Sequence, residues 1–413
     1  MVLNLAKKAK EAFEVLANLS TPKKNKILYA MSKALLNNAG FIIAQNKKDL
    51  RNVKGKGFSS AFIDRLSLTQ ERVKAMSDSQ KSLVNLFDPV GDVIKQWKAP
   101  NGLKIQKVRV PIGVIAVIYE SRPDVTSDCI GLCLKSGNCI ILRGGSESIN
   151  SNKAIYKVLS SVLTKFSIPQ GAIGLVSTTR REDVRALLGL NDYIDLVIPR
   201  GGESLIREVS RISRIPVIKH YKGVCHVYVH QDANLAMAEK ISFNAKIQRP
   251  GTCNAMETML VDKNIAARFL PVIIERFQKA GVQIRGCSVT RRIVKGLKPA
   301  SEEDFRSEYS DLILSLRVVS GLNQAIKHIN QYGTHHSDSI VTDNKDAAKE
   351  FLKRVDSACV YHNASTRLTD GYQFGMGAEI GISTDRLHAR GPMALEELTT
   401  YKYIIYGKGQ IRK

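Results

Sequence analysis

A cysteine in a loop broken by proline and glycine is a candidate nucleophile, and this chain holds one at Cys253, within Gln248-Arg249-Pro250-Gly251-Thr252-Cys253-Asn254-Ala255. Pro250 and Gly251 end the helical pattern before them, which puts Cys253 on a loop at a domain edge. Thiolate is the reactive form, and Lys246, Arg249 or nearby backbone amides are close enough in sequence to lower its pKa. Taken alone, a cysteine is more often a buried, inert thiol. A second pattern suits an anionic ligand. Gly201-Gly202 ends an apolar run just ahead of a helical stretch, where bare backbone and a helix N-terminus can approach a pyrophosphate. Paired glycines after a strand also serve as plain turns.

The hydrophobic pattern supplies a scaffold for these residues. From Leu3 to Asn85 apolar residues recur at helical spacing (Leu5, Ala9, Ala12, Phe13, Leu16), with a second such stretch from Lys26 to Asn46. Asp92 to Val110 reads as two alternating runs around Pro100-Asn101-Gly102, a β-hairpin signal. Strands are then expected at 112–119, 139–142, 173–176, 193–198 and 217–218, and helices at 124–135, 149–166, 180–189 and 203–213, the third opened by a capping-box pattern from Thr179 to Glu182. This alternation is that of a doubly wound parallel sheet, which holds ligands beyond the carboxyl ends of its strands. It begins again at His226, with strands at 227–229, 257–261, 312–318, 339–341 and 358–361 and helices at 235–247, 264–280, 322–330 and 345–354. An apolar strand at 399–406 is left over, of the kind that often pairs with another subunit.

Composition narrows the function classes. At 413 residues, 44% hydrophobic and 24% charged, the chain suits two globular domains rather than a disordered or fibrous protein. Ile112–Tyr119 is too short an apolar run for a membrane span, which needs about 20 residues, and Met1–Ser20 lacks a signal-peptide core, so a cytoplasmic protein is expected. Seven scattered cysteines then read as thiols rather than as a disulfide framework, and neither they nor the eight histidines show zinc-site spacing, so no metal is expected. A formal charge of +24 suits an anionic partner, yet the lysines are dispersed without a nucleic-acid-binding motif; anionic small molecules fit better.

Longer motifs carry a resemblance that spans essentially the whole chain. They are Val110–Asp124 (VPIGVIAVIYESRPD), Ser136–Glu147 (SGNCIILRGGSE), Pro199–Glu203 (PRGGE), Asn244–Ala255 (NAKIQRPGTCNA), Gly377–Thr384 (GAEIGIST) and Leu387–Met393 (LHARGPM). In this order they resemble the aldehyde dehydrogenase superfamily, in the branch that reduces glutamyl phosphate. The resemblance implies an α/β fold of two doubly wound domains plus an oligomerisation hairpin and C-terminal strand. Residues 1–91 and 111–225 would form the NADPH-binding domain, 226–398 the catalytic domain with the nucleophilic cysteine, and 92–110 with 399–413 the oligomerisation hairpin and tail.

The chemistry implied is reduction of L-glutamyl 5-phosphate to L-glutamate 5-semialdehyde: Cys253 attacks the acyl carbon, phosphate leaves, and hydride from NADPH reduces the thioester. Glutamate 5-kinase would supply the acyl phosphate, and a homodimer or homotetramer is expected. Arg143-Gly144-Gly145-Ser146 matches the family position that holds the adenosine ribose, where Arg143 could pair with a 2'-phosphate. Glu308 matches the glutamate that holds the nicotinamide ribose, with Glu302 and Glu303 as rivals. Gly201 and Gly202 complete the cofactor set, although no Gly-x-Gly-x-x-Gly fingerprint is present.

Two departures from hydrolytic relatives matter. Their glutamate base is missing, since Ile218-Lys219-His220-Tyr221-Lys222-Gly223 has no carboxylate, which favours phosphate chemistry over hydrolysis. His220 could assist the thiol, stabilise a charge, or simply pack. Their Pro-Trp-Asn oxyanion donor is replaced by Glu120-Ser121-Arg122-Pro123. The Cys253 amide, Ser121 and Arg122 are the replacement candidates, while Arg122 could instead grip the substrate or pair with Glu120 or Asp124. Arg249 and Asn363 complete the substrate candidates. Two other classes fit the sequence less well: a basic binding protein without catalysis, and a thiol-dependent acyltransferase needing no nicotinamide.

Overall fold

The computed structural model describes residues 1–412, the side chains of 60 and 61 excepted; residue 413 of the expected tail lies outside the described residues. Backbone contacts divide the chain into two units. The first takes Met1–Lys219, Gly375–Gly381 and the segment from Met393 onward, and the second takes His220–Phe374 and Ile382–Pro392. The boundary placed at 225/226 thus lies a few residues earlier, because residues 220–224 lead straight into the strand Cys225–Val229 of the second unit's sheet. Residues 393–398 belong with the first unit, where Glu396 pairs with Arg109 at 2.6 Å and the Leu398 carbonyl accepts from Asn138 Nδ2 at 2.8 Å.

The first unit opens with helices Val2–Ala17, Thr21–Asn37, Ala39–Val53, Ser60–Leu66 and Gln70–Asn85. The stretch expected to be continuous from Lys26 to Asn46 breaks at Asn38, whose side chain and backbone N–H both turn back onto the Ala34 carbonyl. Among the described residues no single helix is long and apolar enough to cross a membrane; Thr21–Asn37 and Ala39–Val53 pass by length and composition only as a pair bent by 65°.

The parallel sheet that follows runs in the order 173–175, 139–143, 114–119, 196–200, with Val217 bridging Val197 at its far edge. Val114–Tyr119 is flanked on both sides and buried at every position, which accounts for its unbroken apolar run. Strand order reverses beside it, so the carboxyl ends of 114–119, 139–143 and 196–200 form the ligand-binding edge of such a sheet. Helices Asp124–Lys135, Ile149–Lys165, Arg181–Leu188 and Glu203–Ile212 match the sequence pattern to within a residue or so at each end. The capping box at Thr179 does not form. Arg180 is the N-cap residue and its side chain makes no capping bond, pairing instead with Asp183 at 3.3 Å, to which Thr178 also donates.

The hairpin pairs Val93–Lys98 with Lys104–Pro111, and its turn is longer than the Asn-Gly signal suggested. Gly102 N–H bonds the Ala99 carbonyl at 2.9 Å and Ala99 N–H bonds Leu103 at 2.8 Å, with Gly102 at φ +86°, a conformation glycine adopts without strain. The leftover strand Thr399–Tyr406 pairs at home: it runs antiparallel to Lys104–Pro111 of the same chain, from Thr399 opposite Pro111 to Tyr406 opposite Lys104.

The second unit carries a parallel sheet in the order 298–299, 283–286, 313–319, 256–262, 225–229, 337–341, 359–362. The strands at 283–286 and 298–299 are additions to the expected set. They lie at one edge, are short, and contain Gln283, Arg285 and Lys298, which leaves little hydrophobic signal.

Candidate active site

In the second unit, helix Leu235–Ile247 and strand Met256–Asp262 bracket the loop of Cys253. Cys253 is half-buried, and its carbonyl accepts from Cys225 Sγ at 3.2 Å. Burial, then the Asp338 carboxylate, holds the Cys225 thiol far above its usual range, so it stays protonated and able to donate. The neighbouring carbonyl of Asn254 accepts from Thr366 Oγ1 at 2.8 Å, and that of Thr252 accepts from Ala255 N–H at 2.9 Å. Asn254 Nδ2 donates to the Thr369 carbonyl at 2.8 Å, while Asn254 Oδ1 accepts from Thr252 Oγ1 at 3.0 Å and from Arg367 Nη1. Three successive carbonyls are thereby used, and the turn that presents Cys253 is fixed.

Gly223 completes this clamp. A Cβ there would collide with the Cys253 carbonyl and Cα, so only glycine lets the backbone at 223 lie against the nucleophile loop. The 218–223 segment brings no carboxylate with it. His220 donates Nδ1–H to the Ile382 carbonyl at 2.9 Å and packs edge-on against His336, with ring centroids 5.7 Å apart. His336 in turn lies 3.7 Å from Cys225 Sγ through Nδ1, which also bonds Ser337 Oγ at 2.8 Å.

Two expectations about this loop are corrected. Lys246 is not available to the thiol: it is fully buried and bonded to the equally buried Glu257 at 2.6 Å. Removing either partner would leave an uncompensated charge and cost about 3–5 kcal/mol. The signal was present in the sequence, since Lys246 shares the buried helix face of Ala238, Ser242 and Ala245. Asn363 is not free to contact substrate. Its amide bonds the Thr342 backbone twice, accepting at 2.9 Å and donating at 3.0 Å, and its φ of +56° is the left-handed conformation that asparagine tolerates.

The cation that does reach the loop is Arg367, which the sequence reading left unassigned. Its Nε donates to Gln248 Oε1 at 2.9 Å and its Nη1 to Asn254. Burial and then the adjacent charge of Arg249 pull the Arg367 pKa down, while Cys253, Asp370 and Cys225 act in the opposite sense. Arg249 itself is exposed. Glu308 is half-buried near Glu257, whose carboxyl it helps to raise after the larger effect of burial. Of its rivals, Glu302 accepts from the Tyr332 hydroxyl, and Glu303 is exposed.

In the first unit, Arg143 ends its strand with Nη2 donating to the Thr179 carbonyl at 3.2 Å, and its Nε is buried without a hydrogen-bond partner among the described residues. An unsatisfied guanidinium N–H at a strand's carboxyl end fits an anionic cofactor group. Gly144 is bare because a Cβ would strike the buried Asn152, while Gly145 faces chiefly the carboxylate end of Glu147; Ser146 Oγ donates to Glu147 Oε1 at 2.9 Å. The expected pyrophosphate approach at Gly201-Gly202 is partly taken. Glu120 Oε2 accepts from Gly202 N–H at 2.8 Å and packs over Gly201, occupying with its own carboxylate the helix N-terminus the sequence offered to a ligand. Arg122 pairs with Asp124 at 3.6 Å, and Ser121 is buried at a strained φ of +29°.

The family model for the aldehyde dehydrogenase family matches residues 2–288. The chain belongs to the aldehyde dehydrogenase family. Within it, a gamma-glutamyl phosphate reductase of Thermodesulfovibrio yellowstonii is 55% identical over 413 residues, covering 100% of this chain and 99% of that one. A second, from Caldanaerobacter subterraneus, is 55% identical over 408 residues and covers 99% of each. The crystal structure of gamma-glutamyl phosphate reductase from Thermotoga maritima superposes with a TM-score of 0.97 at 46% identity, covering 100% of both chains. Aldehyde dehydrogenases use a nicotinamide cofactor, and this member's Arg143 edge has the donor such a cofactor's phosphates need.

The other cysteines of this family member are less suited to attack. Burial raises the thiols of Cys129, Cys133 and Cys139, the last to about 12. Cys287 is half-buried like Cys253, and bonds from Thr290, Val318 and Val289 outweigh the opposing effect of burial and lower its pKa, but its sulfur is already occupied by them.

Proposed function

We infer that this chain reduces L-glutamyl 5-phosphate to L-glutamate 5-semialdehyde with NADPH, releasing phosphate, in proline biosynthesis from glutamate. Relatives at 55% identity over essentially their full length are named gamma-glutamyl phosphate reductase. The observation on this chain that carries the reading is the Cys253 clamp: a half-buried thiol on a fixed turn, with a carboxylate-free segment packed against it at Gly223.

Cys253 attacks the acyl carbon, a C–S bond forms, and the C–O bond to the phosphoryl group breaks with its electron pair leaving on phosphate. The Cys253 backbone N–H is the donor this reading assigns to the developing oxyanion. When bound, the nicotinamide supplies a hydride, which the thioester accepts more readily than a carboxylate would. Collapse of the resulting thiohemiacetal frees the aldehyde and returns the thiolate. Residues 218–223 lack the carboxylate base that would activate water, which favours reduction of the thioester over its hydrolysis. On the cofactor side, Arg143 is assigned to a 2'-phosphate and thus to NADP over NAD, with Gly144, Gly145, Ser146, Gly201 and Gly202 as its backbone surroundings and Glu308 at the nicotinamide ribose.

The reading makes glutamate 5-kinase the functional partner and places the enzyme in the cytoplasm, in keeping with seven cysteines outside any disulfide. It also assigns the hairpin and C-terminal strand, with exposed Val93, Ile94, Tyr403 and Ile405, to contacts in a homodimer or homotetramer. The reaction run in reverse tests the core of it. Purified protein with the semialdehyde and NADP is expected to form NADPH only when phosphate is added, and Cys253→Ala to form none. Turnover that ignores phosphate would identify a hydrolytic dehydrogenase instead.

A further inference from the structure

Arg367 and Arg249 bring two cations to the neighbourhood of the nucleophile loop. Arg249 depresses Arg367, so two guanidiniums share one neighbourhood, and among the described residues neither is in an ion pair. Arg367 is held by amide oxygens of Gln248 and Asn254, which fix its position without neutralising it. The nearby carboxylate of Asp370 already accepts the backbone N–H groups of Tyr372 and Gln373 at 2.9 and 3.3 Å. A half-buried guanidinium with an exposed one close by, and with Asp370 near but paired to neither, favours the binding of a further anion.

We propose that Arg367, with Arg249 beside it, forms the phosphate subsite of this enzyme, holding the phosphoryl group of the acyl phosphate in the forward reaction and inorganic phosphate in the reverse. The proposal rests on the functional reading above. Arg367 is tied to Asn254, the residue next to Cys253, and the charge of Cys253 acts on it, which puts its guanidinium beside the nucleophile loop. The substrate's own carboxylate lies at the far end of its chain.

The reverse reaction separates the possibilities, read as KM for inorganic phosphate with semialdehyde and NADP saturating. Arg367→Gln is expected to raise the phosphate KM about 30-fold, with Arg367→Lys recovering part of it, because loss of a charge-assisted bidentate donor has that size. The KM values for semialdehyde and NADP should stay within about twofold, a split that a general loss of structure would not give. A raised semialdehyde KM with an unchanged phosphate KM would assign Arg367 to the carboxylate and overturn the proposal. Because Arg367 also braces Asn254, Arg249→Gln provides a second variant that leaves the loop bonds intact. Its phosphate KM should rise about fivefold at this exposed position, and an unchanged value in every folded variant overturns the proposal. Wild-type turnover without phosphate would instead sink the functional reading beneath it.

Discussion

The two large sheets put their chemistry at opposite ends of their strands. In the first unit the candidates follow the strands: Arg143 ends 139–143, Glu120 and Ser121 follow 114–119, and Gly201 follows 196–200. In the second they precede them: Gly223 and Cys225 stand at the start of 225–229, Cys253 ahead of 256–262, and His336 ahead of 337–341. The hydrogen-bond accounting differs in the same way. The first edge leaves a donor over, at Arg143 Nε, whereas the second uses up its acceptors, with the carbonyls of Thr252, Cys253 and Asn254 all bonded. A cofactor surface needs donors to spare. A nucleophile loop needs a backbone with nowhere else to go.

Gly223→Ala breaks the second edge most directly. The new Cβ meets backbone rather than a flexible side chain, so the Cys253 turn must move. A displacement of that kind costs about 100-fold in kcat/KM for the acyl phosphate. Binding of NADP to the first unit should be unaffected, measured by fluorescence titration of NADPH. A variant retaining near wild-type turnover would show that the clamp does not position the thiol.

Arg143→Gln tests the other edge. It removes the guanidinium and is expected to raise the NADP KM about 30-fold, with a much smaller change for NAD and none in the reactivity of Cys253 toward iodoacetamide. Equal losses with NADP and NAD would mean that Arg143 does not read the 2'-phosphate.

How much of this was visible beforehand depended on how local each cause is. Val114–Tyr119 and helix Asp124–Lys135 were legible because burial on all sides imposes an unbroken apolar pattern on the chain itself. The edge strand at 283–286 was not, because pairing with 313–319, rather than its own side chains, makes it a strand. The loop of Cys253 announced itself through Pro250 and Gly251, but what holds it comes from residues far along the chain, Cys225, Thr366 and Arg367. The partners of Asn363 and Glu120 were hidden for the same reason. Asn363 is spent on Thr342 and Glu120 on Gly202, partners that only the fold supplies.

A smaller effect concerns the histidine behind the clamp. Burial, reinforced by His220, lowers the His336 pKa from 6.5 to about 3, and its Nε2 has no hydrogen-bond partner among the described residues. Above pH 6.5 the ring is neutral whether the chain is folded or unfolded, and it contributes no pH dependence. Between about 6.5 and about 3 the unfolded chain binds a proton that the folded one refuses, so stability falls with acidification, by about 1.4 kcal/mol per pH unit for one such group, or about tenfold in the folding equilibrium. Below about 3 both forms are protonated and the loss stops growing. His328, lowered to about 2 chiefly by burial, adds a second proton to the same window. Urea unfolding at a series of pH values should therefore show the steepest acid loss in the wild type. His336→Asn should shed one proton's worth of slope while keeping the contribution of His328, whatever it costs in stability at pH 7. Identical slopes for the two proteins would mean that His336 is solvated or paired in solution, and that the back of the Cys253 clamp is more open to water than its packing against Cys225 and Ser337 implies.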